Sequence, residues 1–164
     1  MPIRTVLLAI AVFLASPAAL SCTCDGGSID ENYAESVAAF RIRVTATELR
    51  PTSELDFSRL AGEDDIGDDE LAEFLEDIAE YVRVSFEVIE VFKGESNVPP
   101  YLHEMTFSPG NCGLGLMTSV EYVIFLSGEP IEFASFCSGS FGFINAEGAD
   151  VKPNLERLRE LAKR

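Results

Sequence analysis

Histidine is nearly missing from this chain, since His103 is the only one in 164 residues. A zinc site built from several imidazoles therefore cannot form, nor can a proton shuttle that runs through a histidine pair. His103 itself lies in a strand-like segment beside Pro99 and Pro100 and reads as a surface residue rather than a base. Basic residues are scarce as well, 12 against 28 acidic ones, which sets the formal charge at −16. Such a field repels nucleic acid and anionic lipid surfaces, so neither is an expected partner. Beyond the N-terminal segment no apolar run approaches the about 20 residues that a membrane-spanning helix needs, and no spanning anchor is expected. No internal repeat is visible.

Catalytic signatures are missing too. Ser127-Gly128 and Ser138-Gly139-Ser140 have the chemistry of turns, without the strand-to-helix context of a nucleophile elbow. The acidic pairs lie in no setting that marks a raised pKa. The acidic run from Glu63 to Asp69 lacks the ligand spacing of an EF-hand loop. The sequence thus predicts a protein that is not an enzyme and carries no cofactor.

What is present begins at the N-terminus. Arg4 supplies a positive charge, residues 6–15 supply ten apolar residues, and Pro17 is followed by the small residues Ala18, Ala19 and Ser21. This is the pattern of a secretory signal peptide over residues 1–21. Ala19 and Ser21 satisfy the small-residue rule before a cut after Ser21, which makes Cys22 the first mature residue. A cysteine at that position is also where lipoproteins carry their lipid. Ala19-Leu20-Ser21 matches the lipoprotein box poorly, however, so the favoured reading is an exported protein, secreted or periplasmic. Residues 22–164 are enough for one domain with its own core, expected as a monomer. Removal of Arg4 with the leader takes the formal charge from −16 to −17.

All four cysteines, Cys22, Cys24, Cys112 and Cys137, fall in the mature part. An even number in an oxidising compartment reads as two disulfides. Joining Cys22 to Cys24 across one residue would be strained, so the N-terminal pair is expected to reach Cys112 and Cys137, in either of two pairings. Closing loops of that length is worth about 4–5 kcal/mol each in the chain-entropy model.

The residue pattern is mostly β. In residues 36–48, Ala38, Phe40, Ile42, Val44 and Ala46 alternate with Arg41, Arg43, Thr45 and Thr47, as in a half-buried strand. In residues 81–93, Val82, Val84, Phe86 and Val88 share a face before the apolar phase slips to Ile89 and Val91. A β-bulge at Val88 or Ile89 accounts for the slip. Lys93-Gly94 closes this strand. Further strands are predicted over 102–107, 121–126, 131–137 and 141–144. From Pro153 onwards, Leu155, Leu158, Leu161 and Ala162 form one stripe of an amphipathic helix.

Residues 52–80 interrupt the strands with twelve acidic side chains balanced only by Arg59. Leu71, Phe74, Leu75 and Ile78 have helical spacing, which predicts an acidic helical insertion lying on the sheet by an apolar stripe.

Taken in order, Cys22-Thr23-Cys24, Phe40-Arg41-Ile42-Arg43-Val44, Val84-Ser85-Phe86-Glu87-Val88, Val91-Phe92-Lys93-Gly94, Cys112-Gly113, Glu121-Tyr122-Val123-Ile124-Phe125 and Cys137-Ser138-Gly139 resemble the netrin-like and TIMP-like (tissue inhibitor of metalloproteinases) superfamily. The resemblance spans nearly the whole mature chain and is nearest to minimal single-domain proteins of bacterial type. Ile42 and Ser119 stand where the family often has glycine, and Leu116 where it often has phenylalanine. The resemblance implies a five-stranded OB-type barrel with flanking helices, and pairings of Cys22 with Cys112 and Cys24 with Cys137. It also implies a function: inhibition of a zinc metalloprotease, with the α-amine and carbonyl of Cys22 chelating the enzyme's zinc. Thr23 would enter the specificity pocket, while Cys24, Asp25, Asn111 and Gly113 would lie along the contact ridge. The alternative is a non-inhibitory netrin-like module that binds another extracellular protein.

Overall fold

A computed structural model describes residues 24, 26–55, 79–106, 112–129 and 131–164. The predicted leader and the stripe of Leu71, Phe74, Leu75 and Ile78 lie outside the described residues.

The first element is a helix absent from the sequence reading, α1 over Ile29–Glu35. Its start is dictated by a capping box. Ser28 Oγ accepts from Glu31 N (3.3 Å), and the Glu31 carboxylate accepts in return from Ser28 N (2.8 Å). Asp30 and Glu31 add negative charge to the first turn. At its other end, Lys93 Nζ donates to the Tyr33 and Ala34 carbonyls, placing a cation where the helix dipole is negative.

Five strands follow: β1 over Ala38–Pro51, β2 over Glu80–Lys93, β3 over Leu102–Met105, β4 over Glu121–Leu126 and β5 over Phe141–Phe143. They form one antiparallel sheet in the order β3-β2-β1-β4-β5. β1 begins two residues later than its alternation suggests, because the Ser36 amide donates to Asn32 O and closes α1. The slip read in β2 is present: Arg41 pairs with Glu90 and Ile42 with Val88, leaving Ile89 as the extra residue. Two further register shifts, between Ala39 and Phe40 and between Val44 and Ala46, add to the bend of this long hairpin. Gly94 ends β2 with φ of 66°, where a Cβ would collide with the Val37 carbonyl.

The first half of β1 is not half-buried as its pattern suggests, since Ala38, Ala39 and Phe40 are all buried. On one face Phe40, Ile42, Val44, Val84, Leu102, Tyr122 and Ile124 form a core. On the other, Ala39, Phe92, Val123, Phe125 and Phe143 pack against Leu155 and Leu158 of the C-terminal helix α2, Lys152–Leu161. Ile29 and Tyr33 of α1 join this second core. The apolar run of β4 is explained by this double cover. Arg157 pairs with Asp30 of α1 and Arg159 with Glu90 of β2, fixing where α2 sits.

Residues 131–137, read as a strand, are not one. They make a parallel bridge from Phe133 to His103 and an antiparallel bridge from Ser135 to Gly113, then turn through a single 3-10 turn at Phe136–Ser138. The cause is local: the Ser135 hydroxyl accepts from Cys137 N (3.1 Å) and starts the turn, and Gly139 ends it at φ of 76°. No helix among the described residues is long and apolar enough to cross a membrane.

Candidate functional site

The candidate site is the corner where the N-terminal segment meets the loops around Cys112 and Cys137. Cys24 is joined to Cys137 by a disulfide, with Cα atoms 5.0 Å apart across a sequence separation of 113 residues. The tie fixes Cys24 to the loop that precedes β5. Cys112 is disulfide-bonded as well, and its sulfur lies 3.5 Å from that of Cys24. The sulfurs of Cys24, Cys112 and Cys137 all lie within 4.8 Å of one another. They are the one group of three or more candidate metal ligands among the described residues, and disulfide bonding already commits them.

Ser135 binds the two cysteine loops together, a role the sequence reading missed. Its hydroxyl donates to Cys112 O (2.9 Å) while accepting from Cys137 N (3.1 Å), and Phe136 N donates to the same Cys112 carbonyl (2.9 Å). Gly113 pairs with Ser135 immediately beside this junction. Behind it, Ser138 Oγ donates to Ser135 O (2.8 Å) and lies 2.7 Å from Ser140 Oγ, which accepts from Phe125 N of β4 (2.9 Å). The corner is thereby anchored to the centre of the sheet.

The loop that follows Cys112 is fastened from beneath. Glu104 of β3 is 5% exposed, and its carboxylate accepts from Gly115 N and from Leu116 N (2.8 Å). Burial pushes its pKa up, against the pull of the backbone amides of Leu116, Gly115 and Leu114. Tyr122 of β4 donates its hydroxyl to Gly115 O (3.0 Å) and accepts from Met117 N (2.9 Å). A rigid platform therefore carries an exposed apolar tip, Met117, and the neighbouring Cys137 loop exposes Phe136. Glu104 was detectable in the sequence: alternation in β3 places it on the same inward face as Leu102, and a carboxylate there must find donors.

The N-terminal side is held by packing of polar groups. Asn32 of α1 donates to Gly27 O (2.9 Å), and its amide fills the space where a side chain at Gly139 would stand. Gly27 is thus linked through Asn32 to the turn that carries Cys137.

Of the residues singled out in the sequence, the structure brings Cys24, Cys112, Gly113 and Cys137 to this corner. Cys22, Thr23, Asp25 and Asn111 lie outside the described residues. His103 is not the surface residue its neighbours suggested. It is half-buried among Tyr81, Tyr101 and Phe133, with ring centroids at 5.2, 5.3 and 6.0 Å, and burial lowers its pKa. Tyr101 is a local neighbour, but Tyr81 and Phe133 come from distant parts of the chain, which no local pattern announces. Compared with known proteins, the chain matches no family model and no curated protein.

Proposed function

We propose that the chain is an exported, monomeric binding module of netrin-like, TIMP-like type that inhibits a zinc metalloprotease through its N-terminal corner. The observation that carries the reading is the Cys24–Cys137 disulfide lying 3.5 Å from the Cys112 sulfur, beside a loop fastened by Glu104 and Tyr122. Such a corner holds Cys24 against two surface loops, and cleavage after Ser21 would put the mature N-terminus two residues from that anchor. The proposal gives Cys112 the partner Cys22, which would make Cys22 the first residue of a doubly stapled edge.

The chemistry follows from what a catalytic zinc offers. It keeps an open position normally taken by water. A free α-amine and the adjacent carbonyl oxygen of Cys22 form a bidentate chelate for that position. A disulfide at the same residue lowers the entropy lost when the chelate binds. Thr23 would fill the enzyme's specificity pocket, and Cys24, Asp25, Asn111 and Gly113 would contact the cleft rim. Met117 and Phe136, 61% and 52% exposed, are apolar groups available for the same contact. The strand order β3-β2-β1-β4-β5, with a parallel bridge from β3 to Phe133, is compatible with a five-stranded OB-type barrel. The acidic segment 52–80 is read as an insertion on that barrel.

The test is an inhibition panel of zinc endopeptidases, run with protein whose start at Cys22 has been verified by mass spectrometry. At least one enzyme is expected to be inhibited, and Thr23→Gly is expected to weaken that inhibition by about 1–3 kcal/mol, because only pocket filling is lost. Failure across the panel would leave the non-inhibitory protein-binding module as the reading.

A further inference from the structure

A second concave surface lies away from the cysteine loops, between the segment leading into β3 and the turn after β4. It is a cavity of about 570 Å³, within the range of ligand-sized sites. Pro99, Pro100, Tyr101 and Leu126 supply apolar walls, and His103 lines its inner part. Among the described residues the only charged side chains lining it are Glu129 and Glu132.

The walls are preformed. The two prolines fix their own backbone angles. Asn97 Nδ2 donates to Val37 O (3.3 Å), tying one rim to the start of β1. The Glu132 carboxylate accepts from Ser127 N, from Ser127 Oγ (3.1 Å) and from Gly128 N (3.2 Å), so it braces the opposite rim. Glu129 is exposed and makes no hydrogen bond or ion pair with any described residue.

Among the described residues, both charged side chains lining the cavity are acidic. His103 is half-buried at its wall, where burial lowers its pKa against a hydrogen bond to the Glu132 backbone, and its ring packs edge-on against Tyr101. Arg83 sits 5.7 Å from the Tyr101 ring centroid and is paired with Glu48 (2.6 Å). Tyr101 therefore already accepts a cation against its ring. We infer that this cavity receives an arginine or lysine side chain of a partner polypeptide, with the aliphatic stem against Pro99, Pro100 and Tyr101 and the charged end between Glu129 and Glu132. Charge complementarity selects the occupant: an anionic, aromatic and proline-walled cavity on a chain of formal charge −16 disfavours acidic ligands and suits a basic side chain that snorkels. This inference does not depend on the inhibitor reading, because none of the lining residues belongs to the cysteine loops.

The experiment is an amide NMR titration of the full mature protein with the blocked tripeptide acetyl-Gly-Arg-Gly-amide, and with its neutral isostere carrying citrulline in place of arginine. The arginine peptide is expected to give saturable shifts at Tyr101, His103 and Gly128, with the citrulline peptide binding at least about tenfold more weakly. Glu129→Gln, which removes an exposed carboxylate without touching the bracing role of Glu132, is expected to weaken the arginine peptide about fivefold. Glu156→Gln on α2 is expected to leave it unchanged. No saturable shift up to ~10 mM peptide, equal affinity for the citrulline peptide, or an unaltered affinity in Glu129→Gln would each overturn the inference. Free guanidinium binding as tightly as the peptide would overturn the assignment to a partner chain.

Discussion

Two single residues carry much of the local strain and charge of the proposed binding corner. Gly139 sits at φ of 76° with the Asn32 amide occupying the place of a Cβ, so an alanine there meets both a backbone and a steric cost. Gly139→Ala is expected to lower the free energy of unfolding in urea by about 2 kcal/mol, falling to about 1 kcal/mol when Asn32→Ala has already cleared the space. Equal losses in both backgrounds would show that the packing contributes nothing. Glu104 makes a different prediction, in pH. A carboxyl whose pKa is raised by folding binds its proton more tightly in the native state than in the unfolded chain. Its contribution to stability is therefore full below the ordinary value of 4.5 and is lost as pH rises through the higher native value. Relative to Glu104→Gln, the native protein is expected to be favoured more at about pH 4 than at about pH 7 in urea titrations. An advantage that grows with pH would contradict the burial assigned to this carboxylate. Neither residue declares itself by type alone. Gly139 is one glycine among 12, and its need to lack a side chain depends on Asn32 of a helix more than 100 positions earlier in the chain.

Among the elements, those whose patterns are local were legible and those set by distant contacts were not. Residues 121–126 were legible as a strand because Tyr122 to Leu126 are five consecutive apolar residues rich in β-branched and aromatic side chains, and the cover on both faces found in the structure explains that run. The slip at Ile89 was visible as a break in period-two alternation, and the C-terminal helix as a leucine stripe behind Pro153. The helix Ile29–Glu35 carried a readable signal, Ser28 followed three residues later by Glu31, but its apolar content is only Ile29, Tyr33 and Ala34, too little to mark a period. Residues 131–137 misled in the opposite direction: Ile131, Phe133 and Ala134 look like a strand, yet Ser135 diverts the backbone to join Cys112 and Cys137. The β1–β2 hairpin yields the prediction at this scale. Its ladder runs out to Pro51 opposite Glu80, and Thr52 N donates to Ala79 O (3.1 Å), so the stem joins the two ends of the acidic segment. Replacing residues 55–77 with a short glycine-rich turn is expected to preserve a cooperative melting transition, because the ends to be joined are already hydrogen-bonded neighbours. Loss of that transition would show that apolar residues of the removed segment, Leu71, Phe74 and Leu75, are needed by the core.

At the scale of the whole molecule, the disulfide ties the two ends of the fold together. Closing 113 residues between Cys24 and Cys137 is worth about 5 kcal/mol in the chain-entropy model, a large share of the stability of a domain this size. Its more specific consequence is positional, because Cys24 is held beside the Cys112 and Cys137 loops. On the proposed cleavage after Ser21, a terminus at Cys22 lies two residues from this anchor and is suited to presenting its own amine as a ligand, and that is the central functional claim. The most direct measurement compares the inhibition constant of protein beginning at Cys22 with that of the same protein bearing one additional alanine before it, against a zinc endopeptidase that the native form inhibits. The extension removes the amine ligand and adds bulk at the metal, while both disulfides and the melting temperature should be unchanged. Inhibition weaker by several orders of magnitude is the expected result; equal inhibition by the two forms would contradict chelation through Cys22.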